Sequence, residues 1–100
     1  MTKHWGSYYW DIIHRSTSQY PEHPTILDVQ RTQYFLNYIL AQINNICHNC
    51  GYHFYQYMFE HPPILSSRLE YRLWSWNFHN AVNERIGKKI FHWSEFNNRY

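Results

Sequence analysis

Residues 67–87 read Ser-Arg-Leu-Glu-Tyr-Arg-Leu-Trp-Ser-Trp-Asn-Phe-His-Asn-Ala-Val-Asn-Glu-Arg-Ile-Gly. This stretch carries its own start and stop signals. Ser67 and Glu70 form a Ser-x-x-Glu capping box, in which each side chain satisfies a backbone N–H that the first helical turn leaves unpaired. Gly87 suits the left-handed position just past a helix end. The segment therefore predicts a helix from Arg68 to Ile86. No strand-like alternation competes, because apolar residues recur at helical spacing along the whole chain and no run alternates convincingly at period two.

Working outward, the same punctuation divides the rest. A first helix is expected from about Trp5 to Tyr20, ending before Pro21 and Pro24. Trp5, Tyr9, Ile12, Ile13 and Ser16 would form its inner face, with Trp10 and His14 beside them. Thr25, followed three residues on by Asp28, reads as the N-cap pair of a second helix. That helix would end near Ile46 and turn Val29, Tyr34, Phe35, Tyr38, Ile39 and Ile43 inward. A third, shorter helix would begin around Cys47 and run to Glu60, where His61-Pro62-Pro63 stops it because proline cannot continue the hydrogen-bond ladder. Ser94 would cap a last turn or two. The expected fold is all-α, a four-helix bundle with a short fifth helix, formed as a single domain over residues 1–100.

Composition narrows the function. One hundred residues support one modest core, and domains of this size often lean on a partner, metal or cofactor. Aromatic residues make up 21% of the chain, with five Trp and ten Tyr, which implies an aromatic core and interface packing or a pocket for a flat ligand. The formal net charge is +2 and the cations are scattered, so the basic stripe of a nucleic-acid binder is missing. No apolar run approaches the roughly 18 residues of a membrane span. The opening Met-Thr-Lys-His-Trp has no charged-then-apolar signal pattern, so a soluble protein without its own targeting signal is expected.

Both cysteines of the chain lie in one motif, Cys47-His48-Asn49-Cys50. A secreted disulfide scaffold carries more pairs, usually closing longer loops, so this arrangement favours redox or metal chemistry. Two intervening residues let the sulfurs meet in a small ring. A helix start also supplies unpaired N–H groups and a dipole that stabilise a thiolate, the nucleophile of thiol–disulfide exchange. Zinc is the rival reading: Cys47, Cys50 and His53 supply three ligands, and His61 or His79 a fourth. However, the usual separation between cysteine and histidine pairs is missing, and there is no second Cys-x-x-Cys. Attachment of c-type haem requires histidine directly after the second cysteine, where Gly51 stands. Nothing upstream of the motif resembles a thioredoxin strand–helix–strand unit.

Four patches, in order, extend the pattern over nearly the whole chain. They are His4-Trp5-Gly6 with Trp10-Asp11-Ile12-Ile13-His14; Tyr20-Pro21; Cys47-x-x-Cys50-x-x-His53-Phe54-x-x-Tyr57; and His79-Asn80-Ala81-Val82-Asn83-Glu84-Arg85-Ile86-Gly87-Lys88. In this order and spacing the chain resembles the Erv/ALR family of FAD-linked sulfhydryl oxidases, and the last patch is the most specific. The resemblance implies FAD held at one mouth of the bundle. Cys50 would lie against the isoalloxazine ring, and Cys47 would be the interchange thiol. Trp10, His14 and His53 match positions lining the flavin. His79, Asn80, Val82, Asn83 and Lys88 match the stretch holding the adenine nucleotide end, and Gly6, Ser7, Arg99 and Tyr100 align with further FAD contacts. Electrons would pass from partner thiols through Cys47 and Cys50 to FAD and then to O2, giving H2O2.

The residues alone leave several of these roles open. His79 and Asn83, four apart on one helix face, would both reach one ligand or form a solvated polar stripe. Lys88 would bind phosphate or complement the helix C-terminus, and His14 on an aromatic face would be a satisfied core histidine or a catalytic one.

Two departures from the family pattern carry expectations. Many members have a structural disulfide joining positions that fall here on Trp76 and Trp93, so the two rings are expected to lie close and replace the clip with buried aromatic area. This, with the tail Trp93-Ser94-Glu95-Phe96, resembles short members from large cytoplasmic DNA viruses and suggests host cytoplasm or virion. The shuttle cysteines of longer members are absent, so the expected partner is a dithiol relay protein, thioredoxin-like or a small Cys-x-x-Cys protein, acting on client protein thiols. A homodimer is also implied.

Overall fold

The structure is a computed structural model and describes residues 5–100; His4, the first residue of the opening patch, lies outside them. Five helices follow one another: α1 (Trp5–Gln19), α2 (Ile26–Ile46), α3 (His48–Glu60), α4 (Arg68–Arg85) and α5 (Trp93–Arg99). This is the all-α, four-plus-one arrangement expected from the sequence. α2 packs on α3 and α1 on α4.

The stop and start signals act as read, except that at α4 only the Ser67 half of the expected capping box forms. Thr25 Oγ1 accepts from the Asp28 N–H at 3.2 Å, and the Asp28 carboxylate accepts from the Thr25 N–H at 2.8 Å. Ser67 caps α4 by accepting from the Glu70 N–H at 3.1 Å. Gly87 takes a φ of +76°, a conformation that costs glycine little and other residues more. The start of α5 differs from expectation. Its N-cap is His92, whose N–H donates to the Glu95 carboxylate at 3.0 Å. Ser94 lies inside the helix because Glu95, three residues beyond His92, supplies the reciprocal bond.

The core draws on every helix: Ile13, Leu36, Ile39, Ile43, Phe54, Tyr71, Trp74, Phe78 and Phe96 are buried. Aromatic contacts bind it. Phe78 stacks on Tyr57 at 4.2 Å and meets Phe54 at 4.6 Å and Trp10 at 5.1 Å. The inner face of α2 differs from the sequence expectation. Leu36, Ile39 and Ile43 form it, spaced three and four apart, while Tyr34 and Tyr38 are 81% and 62% exposed. The two tyrosines share a different stripe of the helix, and their apolar rings led to the wrong assignment. On α1, His14 and Thr17 are fully buried beside Ile13. Trp76 and Trp93 do meet, edge to face, with ring centroids 5.4 Å apart.

Candidate functional site

The junction of α2 and α3 is one residue. Cys47 is the C-cap of α2, its N–H donating to Ile43 O at 2.8 Å, and the N-cap of α3, its Sγ accepting from the Cys50 N–H at 3.1 Å. Cys47 and Cys50 are joined by a disulfide, with Cα atoms 5.2 Å apart. Gly51 follows because α2 presses on it: a Cβ there would lie 2.5 Å from Asn44 Oδ1 and 2.6 Å from Asn44 Cα. The glycine thus allows the close helix approach that sets the dithiol in place.

Cys50 lines a cavity of about 310 Å³ between this junction, α1, the end of α4 and the C-terminal segment. Of the residues singled out from the sequence, Gly6, Ser7, Trp10, His79, Val82, Asn83, Lys88, Arg99 and Tyr100 share that wall. Arg85 joins Lys88 and Arg99 there, and no Asp or Glu is among the lining residues. The wall thus combines apolar and aromatic surface with three cations, a setting for a flat, anionic ligand. Cys47 does not line the cavity, so the two sulfurs face different surroundings across a single bond.

His14, His53 and Asn80 stand off the wall. His14 is fully buried behind His79: its Nε2 is 2.8 Å from His79 Nδ1, and its Nδ1 is 3.1 Å from Ser75 Oγ. Desolvation, then the neighbouring His79, push the His14 pKa down to about 3. Desolvation, then Lys88 and Arg99, push His79 down to about 4. Both rings are therefore neutral near pH 7. Trp10 stacks on His79 with centroids 4.3 Å apart and planes within 8°. His53 is half-buried on α3 beside Tyr52, at 5.5 Å. Asn80 grips the segment after α4: its Oδ1 accepts from Phe91 N–H at 2.7 Å, and its Nδ2 donates to Phe91 O at 2.8 Å.

The C-terminal segment closes the wall. Phe96 is fully buried, Tyr100 Oη donates to Asp11 at 2.6 Å, and the Tyr100 carbonyl accepts from Arg72 at 3.0 Å and from Ser18. The Tyr100 hydroxyl pKa is pushed up to about 12, by burial first and then by the bond to Asp11.

Several wall residues were not expected there: Tyr9 and Ile43 read only as core, Phe54 and Ile86 only as parts of the motif patches, and Phe91 not at all. Ile86 was within reach, since it continues the spacing of His79, Val82 and Asn83 on one helix face. Phe91 had no local signal, because its place depends on the grip of Asn80. Among the described residues no three His, Cys, Asp or Glu side chains converge to hold a metal ion, and the two sulfurs are bonded to each other.

Known proteins resemble this chain in sequence and fold. The chain is 33% identical over 98 residues to an FAD-linked sulfhydryl oxidase of African swine fever virus, covering 97% of this chain and 80% of that protein. It is 29% identical over 82 residues to the yeast FAD-linked sulfhydryl oxidase ERV2, of which it spans 41%. The crystal structure of the FAD binding domain of Erv1 from Saccharomyces cerevisiae superposes with a TM-score of 0.89 at 28% identity, covering 98% of this chain and 91% of that one. The Erv1 / Alr family model matches residues 7–100, the span that holds the disulfide and all of the cavity wall except Trp5 and Gly6, and the chain belongs to that family.

Proposed function

We propose that this protein is an FAD-dependent thiol oxidase that makes disulfides in partner proteins and passes the electrons to oxygen. The observation that carries the reading is the place of Cys50, at once half of a disulfide and part of the wall of a cavity rimmed by aromatic rings and cations. The names and structure of its relatives support FAD as the ligand. Arg85, Lys88 and Arg99 suit its phosphates, and Trp10, His79, Asn83 and Tyr100 its rings and polar edges. Gly6, Ser7 and Val82 complete the wall. His14 and Asn80 serve from behind it, and His53 from α3.

A partner thiolate attacks Cys47 Sγ, the disulfide breaks, and Cys50 leaves as a thiolate. A second partner thiolate then attacks the partner sulfur of the mixed disulfide, and Cys47 leaves. The partner has lost two electrons and two protons, and Cys47 and Cys50 have gained the electron pair. The Cys50 N–H aimed at Cys47 Sγ, at the N-terminus of α3, stabilises the departing Cys47 thiolate. FAD, when bound, accepts this pair from the dithiol and delivers it to O2 as H2O2.

The natural electron donor in this proposal is a separate dithiol relay, thioredoxin-like or a small Cys-x-x-Cys protein, because this sequence has no third cysteine. Its setting is the host cytoplasm or virion, in keeping with the viral relative. No described helix is long and apolar enough to cross a membrane. The enzyme is proposed to pair as a homodimer, which the exposed Leu27, Tyr34 and Tyr38 on one stripe of α2 support.

Oxygen uptake and peroxide release on adding a dithiol test the reaction. The expected result is one peroxide per disulfide formed, with both lost in Cys50→Ser. Thiol oxidation that continues unchanged in Cys50→Ser would contradict it.

A further inference from the structure

His79 reaches the cavity with one ring nitrogen already engaged. Its Nδ1 is 2.8 Å from His14 Nε2. Among the described residues no side-chain nitrogen or oxygen cut off from the surface lacks a partner. His79 Nε2 bonds to no described side chain, and the ring lines both the cavity and a second pocket beside it that shares Asn83 and Phe91. The near-parallel stack of Trp10, at 4.3 Å, fixes the plane of the ring. Turning it over would replace a nitrogen-to-nitrogen hydrogen bond with a carbon facing His14.

The chain of bonds ends at Ser75. Its hydroxyl is 3.1 Å from His14 Nδ1 and donates to Arg72 O at 3.0 Å. A hydroxyl has one proton. With that proton on the Arg72 carbonyl, the Ser75 oxygen accepts from His14 Nδ1–H. A neutral imidazole has one N–H, so His14 Nε2 is then bare and the short contact places a proton on His79 Nδ1. By the same count His79 Nε2 is bare. The opposite arrangement, with Ser75 donating to His14, keeps two of the three hydrogen bonds and inverts both rings. Arg72 O keeps its helical donor from Trp76 in either case, and the first arrangement prevails because it alone forms all three bonds. Burial keeps both rings in the neutral form that this count requires.

We propose that Ser75, acting through His14, is a positioning residue that sets the tautomer of His79, so that His79 Nε2 meets the bound ligand as a hydrogen-bond acceptor and selects an N–H or O–H donor there. That the ligand is FAD rests on the function proposed above, whereas the tautomer assignment does not. Neither Ser75 nor His14 lines the cavity, and the three residues act as one unit across α1 and α4.

Long-range proton–nitrogen NMR spectra of the purified protein, labelled at histidine nitrogen, read the tautomers directly. The expected result is Nδ1–H on both His14 and His79, the reverse of the form that free histidine favours in water. An Nε2–H on His79 overturns the assignment. In the wild type, the His79 Nε2 resonance should move between flavin-free and FAD-loaded fractions as it accepts a hydrogen bond. A resonance that stays put overturns the ligand half. Ser75→Ala is expected to invert both rings and to weaken FAD retention by roughly tenfold; inverted rings with unchanged retention also overturn it. Protein that takes up no FAD at all contradicts the proposed function, and its spectra still decide the tautomers.

Discussion

The two helix pairs that enclose the cavity hold their functional groups by different means. On the α2–α3 side a covalent bond, a shared cap at Cys47 and one glycine fix the dithiol within five consecutive residues. On the α1–α4 side a buried polar chain, Ser75 to His14 to His79, spans more than sixty positions of sequence. The first side carries the reacting atoms and is built of local interactions. The second shapes the ligand face and is built of contacts that exist only after folding. Changes on the first side should therefore lower turnover, with or without a cost in stability, and changes on the second should act first on ligand retention.

The largest expected effect is on the dithiol side. Cys47→Ser and Cys50→Ser should each bring thiol oxidation down to the uncatalysed background while leaving flavin bound, as judged by activity and by absorbance after gel filtration. Loss of so small a disulfide loop costs about 2 kcal/mol or less, so both variants should remain folded. Loss of flavin in either would break the division between the two sides.

Gly51→Ala forces a methyl group against the Asn44 backbone, where α2 and α3 cannot both hold position. It is expected to destabilise the fold by about 1–3 kcal/mol and, by shifting Cys50, to lower turnover as well. Asn80→Ala provides the matching change on the other side. It strips both backbone bonds from Phe91, costing about 1–3 kcal/mol, and should weaken flavin retention more than turnover of the loaded enzyme. Thermal unfolding and flavin titration check both.

A smaller effect is expected at the aromatic contact between Trp76 and Trp93. A double-mutant cycle on Trp76→Ala and Trp93→Ala should give a coupling of about 0.5–1.5 kcal/mol. A coupling of zero would mean that the 5.4 Å contact contributes only through area.

Acid should find the α1–α4 side first. His14 and His79 have folded pKa values near 3 and 4, below the ordinary 6.5. As pH falls from about 6.5 towards those values, the unfolded chain takes up protons that the folded chain refuses. Stability present above 6.5 is therefore lost across that window, at up to about 1.4 kcal/mol per pH unit for each group. Unfolding midpoints between pH 7 and pH 4 should fall in the wild type. A flat profile would contradict the buried neutral pair.

What could be read from the sequence follows the same divide. Thr25 with Asp28, Ser67 with Glu70, and Gly87 announce helix ends through bonds made within three or four residues. Cys47 and Cys50 announce their chemistry by spacing. Tyr34 and Tyr38 misled because an aromatic ring on a helix says little about which stripe is buried until the partner helix is known. Ser94 likewise resembles a cap but lies inside α5, because His92, an uncommon cap, begins the helix with Glu95 three residues on. Ser75 gave no sign at all, because its meaning depends on His14, which folding brings from the other end of the chain. Phe91 entered the cavity wall unannounced for the same reason.

The central claim is that thiol electrons pass through Cys50 to a flavin held in the cavity. It is tested most directly by the visible absorbance spectrum of the purified, desalted protein before and after addition of a dithiol. The account predicts flavin bands that bleach with the dithiol, recover in air, and persist unbleached in Cys50→Ser. A colourless protein that takes up no FAD, or flavin bands that bleach equally well without Cys50, would contradict it.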